Sequence, residues 1–280
     1  PRRAEDAGSN HSFTLAFFHS FTPMPWYTQF FSGLPQEAWK AAQTDEQTQL
    51  ELERLVESLE FGPDDRVLDV FCGYGRHALP LARMGAAVVG IDISEESIDD
   101  IRKAVGRKKL ALTAVQGDFM AIDPATLGTP GSFQAAYCLG NSLGFFPRAG
   151  MLEFLTRIAD LLKPGGRFLA QSGMVAESFL PAFQERAWLP VGDTMQVLIE
   201  NQYDPLAARV DQHLTYYQRG DTGVQVVDRV AHYYIYTLAD LLSLFAEAGL
   251  EPVDCYGTVE GDPYQVGDEG VWILAAKLSN

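Results

Sequence analysis

Three aspartates near the ends of short apolar segments are the side chains of this sequence best placed to do chemistry. Asp69 lies inside the first segment, Arg66–Phe71, while Asp92 and Asp118 close the next two. A carboxylate at the end of a strand can accept hydrogen bonds from hydroxyl and amino groups. The three together predict a site for a ligand that carries such groups or a positive charge, and they disfavour a pyrophosphate.

A glycine turn, Gly73-Tyr74-Gly75, follows the first segment and precedes a helical pattern that runs to Met84. Glycines let the backbone approach a ligand closely, and the amides at the start of the helix then face that ligand. The string Gly73–Ala78 also fits G-x-G-x-x-A, a pattern of dinucleotide-binding proteins. A plain strand-to-helix turn would give the same string, so the turn alone does not choose between these ligands.

Short apolar strands alternate with helices around these motifs, which predicts a doubly wound, mostly parallel sheet. The expected strands are Arg66–Phe71, Ala86–Ile91, Leu110–Gln116, Ser132–Leu139 and Arg167–Gln171. The expected helices are Gln36–Glu60, Gly75–Met84, a segment from Ser94 to Val105, and Arg148–Leu162, which the turn Lys163–Gly166 stops.

The later part of the chain alternates apolar and polar residues, which predicts an antiparallel meander of strands Val191–Tyr203, Val210–Arg219 and Val224–Tyr236. A helix, Thr237–Gly249, and two strands, Glu251–Tyr256 and Gly270–Leu278, are expected to complete the core. The expected division is a lid segment and helix over 1–60, a core over 61–185, an inserted meander over 186–236, and a completing segment over 237–280.

The composition excludes several partners. The 280 residues include 37 acidic and 21 basic side chains, a formal net charge of −16, which disfavours nucleic acids and anionic membranes. No apolar run approaches the roughly 18 residues needed to span a bilayer. Three scattered cysteines and five histidines show no metal-binding spacing, so we expect no metal and a cytoplasmic location.

In its motifs the sequence resembles the class I S-adenosylmethionine-dependent methyltransferases, most strongly over residues 60–175. The family's first motif, an acid followed by Gly-x-Gly, matches Asp69, Gly73 and Gly75. Phe71 stands where the commonest family pattern has its first glycine. The family's ribose-binding acid matches Asp92.

Further along, the family's adenine-site acid and the apolar residue after it match Asp118 and Phe119. The loop Gly140-Asn141-Ser142 is similar to that of small-molecule methyltransferases, including the glycine and sarcosine N-methyltransferases. The resemblance implies a cofactor site formed by Asp69, Phe71, Cys72, Gly73, Gly75, Asp92, Ile93, Asp118, Phe119, Leu139 and Asn141.

The fold implied by the resemblance is a Rossmann-like α/β fold. Its seven-stranded sheet is mostly parallel with the last strand antiparallel, and it carries the inserted meander and an N-terminal helical and aromatic lid. The implied function is methyl transfer from S-adenosyl-L-methionine to a nitrogen or oxygen of a small molecule, with S-adenosyl-L-homocysteine as product. Cofactor binding without turnover and protein methylation are the alternatives. An NAD-dependent oxidoreductase fits least, because it leaves Asp69 and Asp118 without a role.

The methyl acceptor is expected between the lid and the meander. The candidate acceptor-binding residues are Trp26, Tyr27, Phe31, Arg186, Tyr216, Arg229 and Tyr234. The two arginines would suit an acidic substrate, or they are simply solvated. His19 and His213 are candidate bases, while Asn141 could either bond the acceptor or form an Asx turn.

Overall fold

The structure is a computed structural model that describes residues 25–106 and 109–279. The helices are α1 Tyr27–Phe30, α2 Leu34–Ala42, α3 Asp45–Leu59, α4 Ala78–Arg83, α5 Glu95–Gly106, α6 Arg148–Leu161, α7 Ala176–Phe179 and α8 Leu238–Glu247. The strands are β1 Arg66–Val70, β2 Ala87–Asp92, β3 Leu112–Gln116, β4 Phe133–Cys138, β5 Leu162–Ser172, β6 Arg186–Val191, β7 Met195–Asp204, β8 Arg209–Gly220, β9 Gly223–Tyr234, β10 Leu250–Tyr256 and β11 Val271–Lys277.

The larger sheet has seven strands in the order β10-β11-β5-β4-β1-β2-β3. Strands β1 to β5 pair in parallel, and β11 runs antiparallel between β5 and β10. The expected doubly wound sheet with an antiparallel last strand is confirmed. The sheet order reverses beside β1, and the carboxyl ends of β1, β2, β3 and β4 therefore border one crevice.

Apolar side chains cover both faces of this sheet. On one face, rings such as Phe119, Phe154 and Phe168 pack with residues of α6 and α8. On the other face, Leu55 of α3 and Ile98 of α5 belong to a second buried cluster. Strands buried on both faces are continuously apolar, which is why the sequence shows them so clearly.

The expected single helix over Gln36–Glu60 is wrong. The structure divides it into α2 and α3, because Gln43 and Thr44 are extended and the Thr44 side chain accepts a hydrogen bond from the Gln47 amide. That contact is an N-cap, which starts a new helix. The segment expected over 1–60 is described from residue 25 onward, where it contains α1, α2 and α3.

The turn Lys163–Gly166 lies within the span of β5 and does not precede it. Leu162 already pairs with Phe133, and the register then shifts before Ala135 pairs with Arg167. Gly165 takes φ +74°, so the chain makes its excursion there and returns to the same neighbour strand.

The meander is a separate four-stranded antiparallel sheet in the order β6-β7-β8-β9. Its first strand, β6, is absent from the expected three, because it presents mostly exposed residues and shows no clear alternation of burial. The inner face buries Val197, Leu214 and Tyr216 against Phe30 and Leu34 of the N-terminal helices. None of the described helices combines the length and apolarity that crossing a bilayer requires.

Candidate functional site

A cavity of about 390 Å³ lies between the carboxyl ends of the parallel strands and the inner face of the meander. Its floor includes Gly73, Asp92 and Asp118 at the strand ends. Its far wall comes from the meander and the N-terminal helices, which contribute Phe30, Phe31, Leu189, Val191, Val197, Ile199, Leu214, Tyr216 and Tyr233. The cavity therefore joins a polar floor to an apolar wall.

Asp92 ties the glycine turn to the end of β2. Its Oδ2 accepts a hydrogen bond from the Gly73 amide at 2.8 Å, and its Oδ1 accepts one from the Ser94 amide at 2.8 Å. Gly73 has φ +51°, a conformation that glycine adopts without strain. Burial raises the pKa of Asp92, and the amide donors oppose that rise. Each carboxylate oxygen can still accept a further bond from a hydroxyl group.

Asp118 is held in a similar way at the end of β3. Its Oδ1 accepts a hydrogen bond from the Met120 amide at 2.9 Å, and the Tyr27 hydroxyl donates to its Oδ2 at 3.4 Å. Burial, and then the negative charge of Asp118, raises the pKa of Tyr27 to about 12. Phe119 beside it is almost completely buried and lines the cavity. Tyr27 thus joins helix α1 to the floor of the cavity.

Phe71 occupies the position where the related pattern has a glycine, and it takes the backbone conformation that a glycine would favour. Its φ is +62°, which is strained for a residue with a side chain. Its ring stacks on Phe154 at 5.6 Å with an interplanar angle of 10°. The ring also lines the cavity. The sequence departs from the pattern in residue type, while the turn keeps its shape.

Asp69 does not line the cavity; it lies beneath the glycine turn, paired in register with Tyr137 of β4. Its Oδ2 and the Tyr137 hydroxyl are buried without a hydrogen-bond partner among the described residues. Burial raises the pKa of Asp69 to about 7; the nearby Tyr137 hydroxyl and Arg76 oppose the rise, and the charge of Asp92 adds to it.

Cys72 and Gly75 also lie below the surface of the turn. The Cys72 sulfur fills the space beside Gly90, so closely that a Cβ added to Gly90 would stand 2.9 Å from it. A Cβ on Gly75 would stand 2.8 Å from Cγ1 of Ile101 on α5. Glycine is therefore required at position 75 for two reasons. A side chain there would collide with α5, and the φ of +80° favours glycine.

A buried ion pair anchors the turn to helix α3. Glu51 Oε2 lies 2.5 Å from Arg76 Nη1 and 2.7 Å from His77 Nε2. The hydrogen bond with His77 and the charge of Arg76 outweigh burial and lower the pKa of Glu51. Burial lowers the pKa of His77, which favours its neutral form.

Asn141 lines the cavity in the loop after β4, with φ +71°. Its Oδ1 accepts a hydrogen bond from the Gly173 amide at 2.6 Å, so it fastens this loop to the segment after β5. Leu139, which precedes it, and Ile93, which follows Asp92, also line the cavity.

The acceptor candidates separate into three groups. Tyr27, Phe31 and Tyr216 line the main cavity, whereas Trp26 and Arg229 line a neighbouring hollow. Neither hollow includes Arg186 or Tyr234, and Arg186 is paired with Glu200 on the outer face. His213 is also on that outer face, 3.6 Å from carboxylate oxygens of Glu200 and Asp228. His19 lies outside the described residues.

Several residues that line the cavity are not among the site residues predicted from the sequence. Trp39 of α2 contributes to the cavity beside Gly140, and Phe145 and Phe146 enclose it next to Phe71. The two phenylalanines directly follow the loop 140–144, and that position is the available signal. Within the described ranges, no group of three or more possible metal ligands is found.

Comparison with protein families gives a match to the methyltransferase domain over residues 67–166. Residues of this chain are 36% identical over 99 residues to the 23S rRNA (uracil(1939)-C(5))-methyltransferase RlmD of Marinomonas posidonica, covering 35% of this chain and 21% of the relative. They are 36% identical over 106 residues to the ubiquinone biosynthesis O-methyltransferase of Xanthomonas campestris, covering 37% of this chain and 41% of the relative. The matches thus span less than half of either relative.

Solved structures match over more of the chain. An S-adenosylmethionine-dependent methyltransferase from Clostridium acetobutylicum superposes with a TM-score of 0.72 at 15% identity, covering 86% of this chain and 94% of that one. The sugar N-methyltransferase KedS8 from Streptoalloteichus superposes with a TM-score of 0.66 at 18% identity, covering 98% and 99%. The expected resemblance and the class I methyltransferase fold are confirmed.

Proposed function

We propose that this chain, which carries a methyltransferase domain, is an enzyme that transfers a methyl group from S-adenosyl-L-methionine to a nitrogen or oxygen of a small molecule. One observation carries the proposal. One cavity joins the crevice at the strand ends to the inner face of the meander, and its floor includes Gly73, Asp92 and Asp118. A donor on the floor and an acceptor against the wall would therefore share one space away from bulk water.

The residues on the floor suit the proposed cofactor. Asp92 has free lone pairs for ribose hydroxyls, and Asp118 can accept a bond from the adenine amino group. The turn around Gly73 leaves open space where a Cβ would stand, which permits close approach of the methionine part. When bound, S-adenosylmethionine supplies an already activated methyl group.

The protein's part is then positioning and exclusion of water. Tyr27 holds the lid to Asp118, and Phe145 and Phe146 close the cavity from the loop side. Asn141 fixes that loop against the segment after β5, so in this proposal it shapes the acceptor site by position.

Three features favour a small acceptor. The net charge of −16 opposes the binding of RNA, and 23S rRNA is the substrate named for the RlmD relative. The KedS8 neighbour, whose whole length is matched, is named as a sugar N-methyltransferase. A cavity of about 390 Å³ also suits a small molecule better than a folded macromolecule.

Calorimetry with S-adenosylhomocysteine tests the proposal. We expect binding below ~100 μM, and we expect Asp92→Ala to weaken it by ~1.5–3 kcal/mol, because charge-assisted hydrogen bonds are lost. Asp99→Ala, on α5 and away from the cavity, serves as the matched control. No binding of either S-adenosylmethionine or S-adenosylhomocysteine to the unaltered chain would refute the proposed function. Equal affinity of Asp92→Ala and the unaltered chain would refute the ribose assignment.

A further inference from the structure

We infer that the acceptor is a mostly apolar molecule with one neutral hydroxyl or amine group and without a carboxylate or phosphate, a conclusion that rests on the proposed function. The residues that would bind its neutral hydroxyl or amine group are Tyr216 and Tyr233 on the inner face of the meander.

The far wall offers almost no charge. Among the described residues that line the cavity, none is Lys, Arg or His, and the two carboxylates, Asp92 and Asp118, belong to the floor. The meander presents Val197 and Leu214, both buried, beside Ile199. An anionic acceptor would lose its hydration against these side chains without gaining an opposite charge.

Two hydroxyl groups interrupt the apolar wall. Tyr216 and Tyr233 both line the cavity, and neither hydroxyl has a hydrogen-bond partner in the described part of the chain. Burial raises the pKa of Tyr216 to about 12, and Arg229 opposes that rise. Burial also raises the pKa of Tyr233. Both therefore remain protonated near neutral pH and can donate to a neutral oxygen or nitrogen.

Arg229 is a cation on the inner face of the meander, the same face as Leu214. It pairs in register with Leu214, but it lines the neighbouring hollow, where it donates to the Asp228 carbonyl oxygen at 2.9 Å. The two hollows share Phe30 in their linings. Phe30 is buried, and Arg229 itself is not among the residues that line the main cavity.

The test compares two probes that differ by one carboxylate: 1-naphthol and 1-hydroxy-2-naphthoate. Each is titrated by calorimetry into the full chain saturated with S-adenosylhomocysteine. We expect 1-naphthol to bind at least tenfold more tightly. Equal or tighter binding of the naphthoate would overturn the inference, as would the absence of binding by 1-naphthol at 1 mM, about the weakest affinity a fitting apolar pocket should give.

Variants locate the binding. Tyr216→Phe and Tyr233→Phe should each weaken 1-naphthol by about three- to tenfold, as expected for one hydrogen bond, without changing affinity for S-adenosylhomocysteine. Tyr217→Phe is the matched control, because Tyr217 lies on the same strand and contacts Trp188 on the outer face. If Tyr216→Phe and Tyr233→Phe both behave like this control, the assignment of the two hydroxyls fails.

Introducing a positive charge into the cavity gives the opposite readout. Gln212 lines the cavity and is half-buried, so Gln212→Arg should raise the ratio of the naphthoate affinity to the 1-naphthol affinity. Arg229→Met should leave both affinities unchanged, and a selective loss of naphthoate binding would show that Arg229 serves anionic acceptors after all. Because cofactor affinity is measured separately, failure here is distinct from failure of the proposed function.

Discussion

The fully buried carboxyl group of Asp69 should make the stability of this protein fall as pH rises, and Asp69→Asn should remove that fall. Burial raises the pKa of Asp69 from an ordinary 3.8 to about 7. The folded protein therefore keeps this proton to a higher pH than the unfolded chain does. Between about pH 4 and pH 7 the folded state binds more protons, so the free energy of unfolding declines across that window.

The magnitude follows from the separation of the two pKa values. About 3 pH units at about 1.4 kcal/mol per unit give an upper bound of about 4 kcal/mol. The bound is not reached in full, because water and small rearrangements stabilise the ionised form. Asparagine has the same shape, cannot ionise, and can donate to the unpartnered Tyr137 hydroxyl oxygen.

Urea denaturation at a series of pH values from 3.5 to 8 measures this effect. The unaltered chain and Asp69→Asn should have similar free energies of unfolding near pH 4, the variant should become progressively more stable toward pH 7, and the difference should stay constant above that. Other titrating groups contribute equally to both proteins, so the difference isolates Asp69. Asp193→Asn, at an exposed position, is the control. Parallel curves for Asp69→Asn and the unaltered chain would refute the reasoning.

Two further substitutions test the turn and its anchor by urea denaturation. Phe71→Ala should destabilise by about 2–3 kcal/mol through lost ring packing, below the range for a fully buried ring because Phe71 is half-buried, yet Phe71→Gly should be about 1 kcal/mol less destabilising, because glycine adopts the φ of +62° without strain. A glycine variant with a lower free energy of unfolding than the alanine variant would contradict the strain argument. Glu51→Gln should cost about 3–5 kcal/mol because it leaves Arg76 buried without its counter-charge, whereas Glu53→Gln, exposed on the same helix, should change stability by less than about 0.5 kcal/mol; similar effects of the two would show that the buried pair is unimportant.

The sequence predicts the sheet because its strands are local features. Strands such as Arg66–Val70 are buried on both faces and are read as apolar runs, and the turns between them carry their own glycines. The break between α2 and α3 is not predictable in the same way. The apolar positions of Leu52 and Leu55 continue a helical period, while the break depends on a cap at Thr44 that competes weakly with helix continuation.

The site is predictable on its floor and much less so on its wall. Asp92 and Asp118 end their strands, and parallel strands bring such ends together, so their placement beside the cavity follows from local patterns. The bond between Tyr27 and Asp118 joins residues 91 positions apart, and nothing in the sequence near either residue indicates it. Asp69 is expected at the ligand, yet it lies beneath the turn, because only the residues after the strand reach the crevice.

The floor and the wall of the cavity are fixed by different parts of the fold. The floor is built largely from backbone amides and strand-end carboxylates, whose positions the parallel sheet fixes. The wall is built from alternate residues of β7, β8 and β9, so Leu214 and Tyr216 face the cavity while His213 lies outside. A shift of one residue in the β8 register would exchange these faces and place His213 against the cavity. If the proposed function holds, the register of the meander, more than the glycine turn, therefore determines which acceptor the cavity admits.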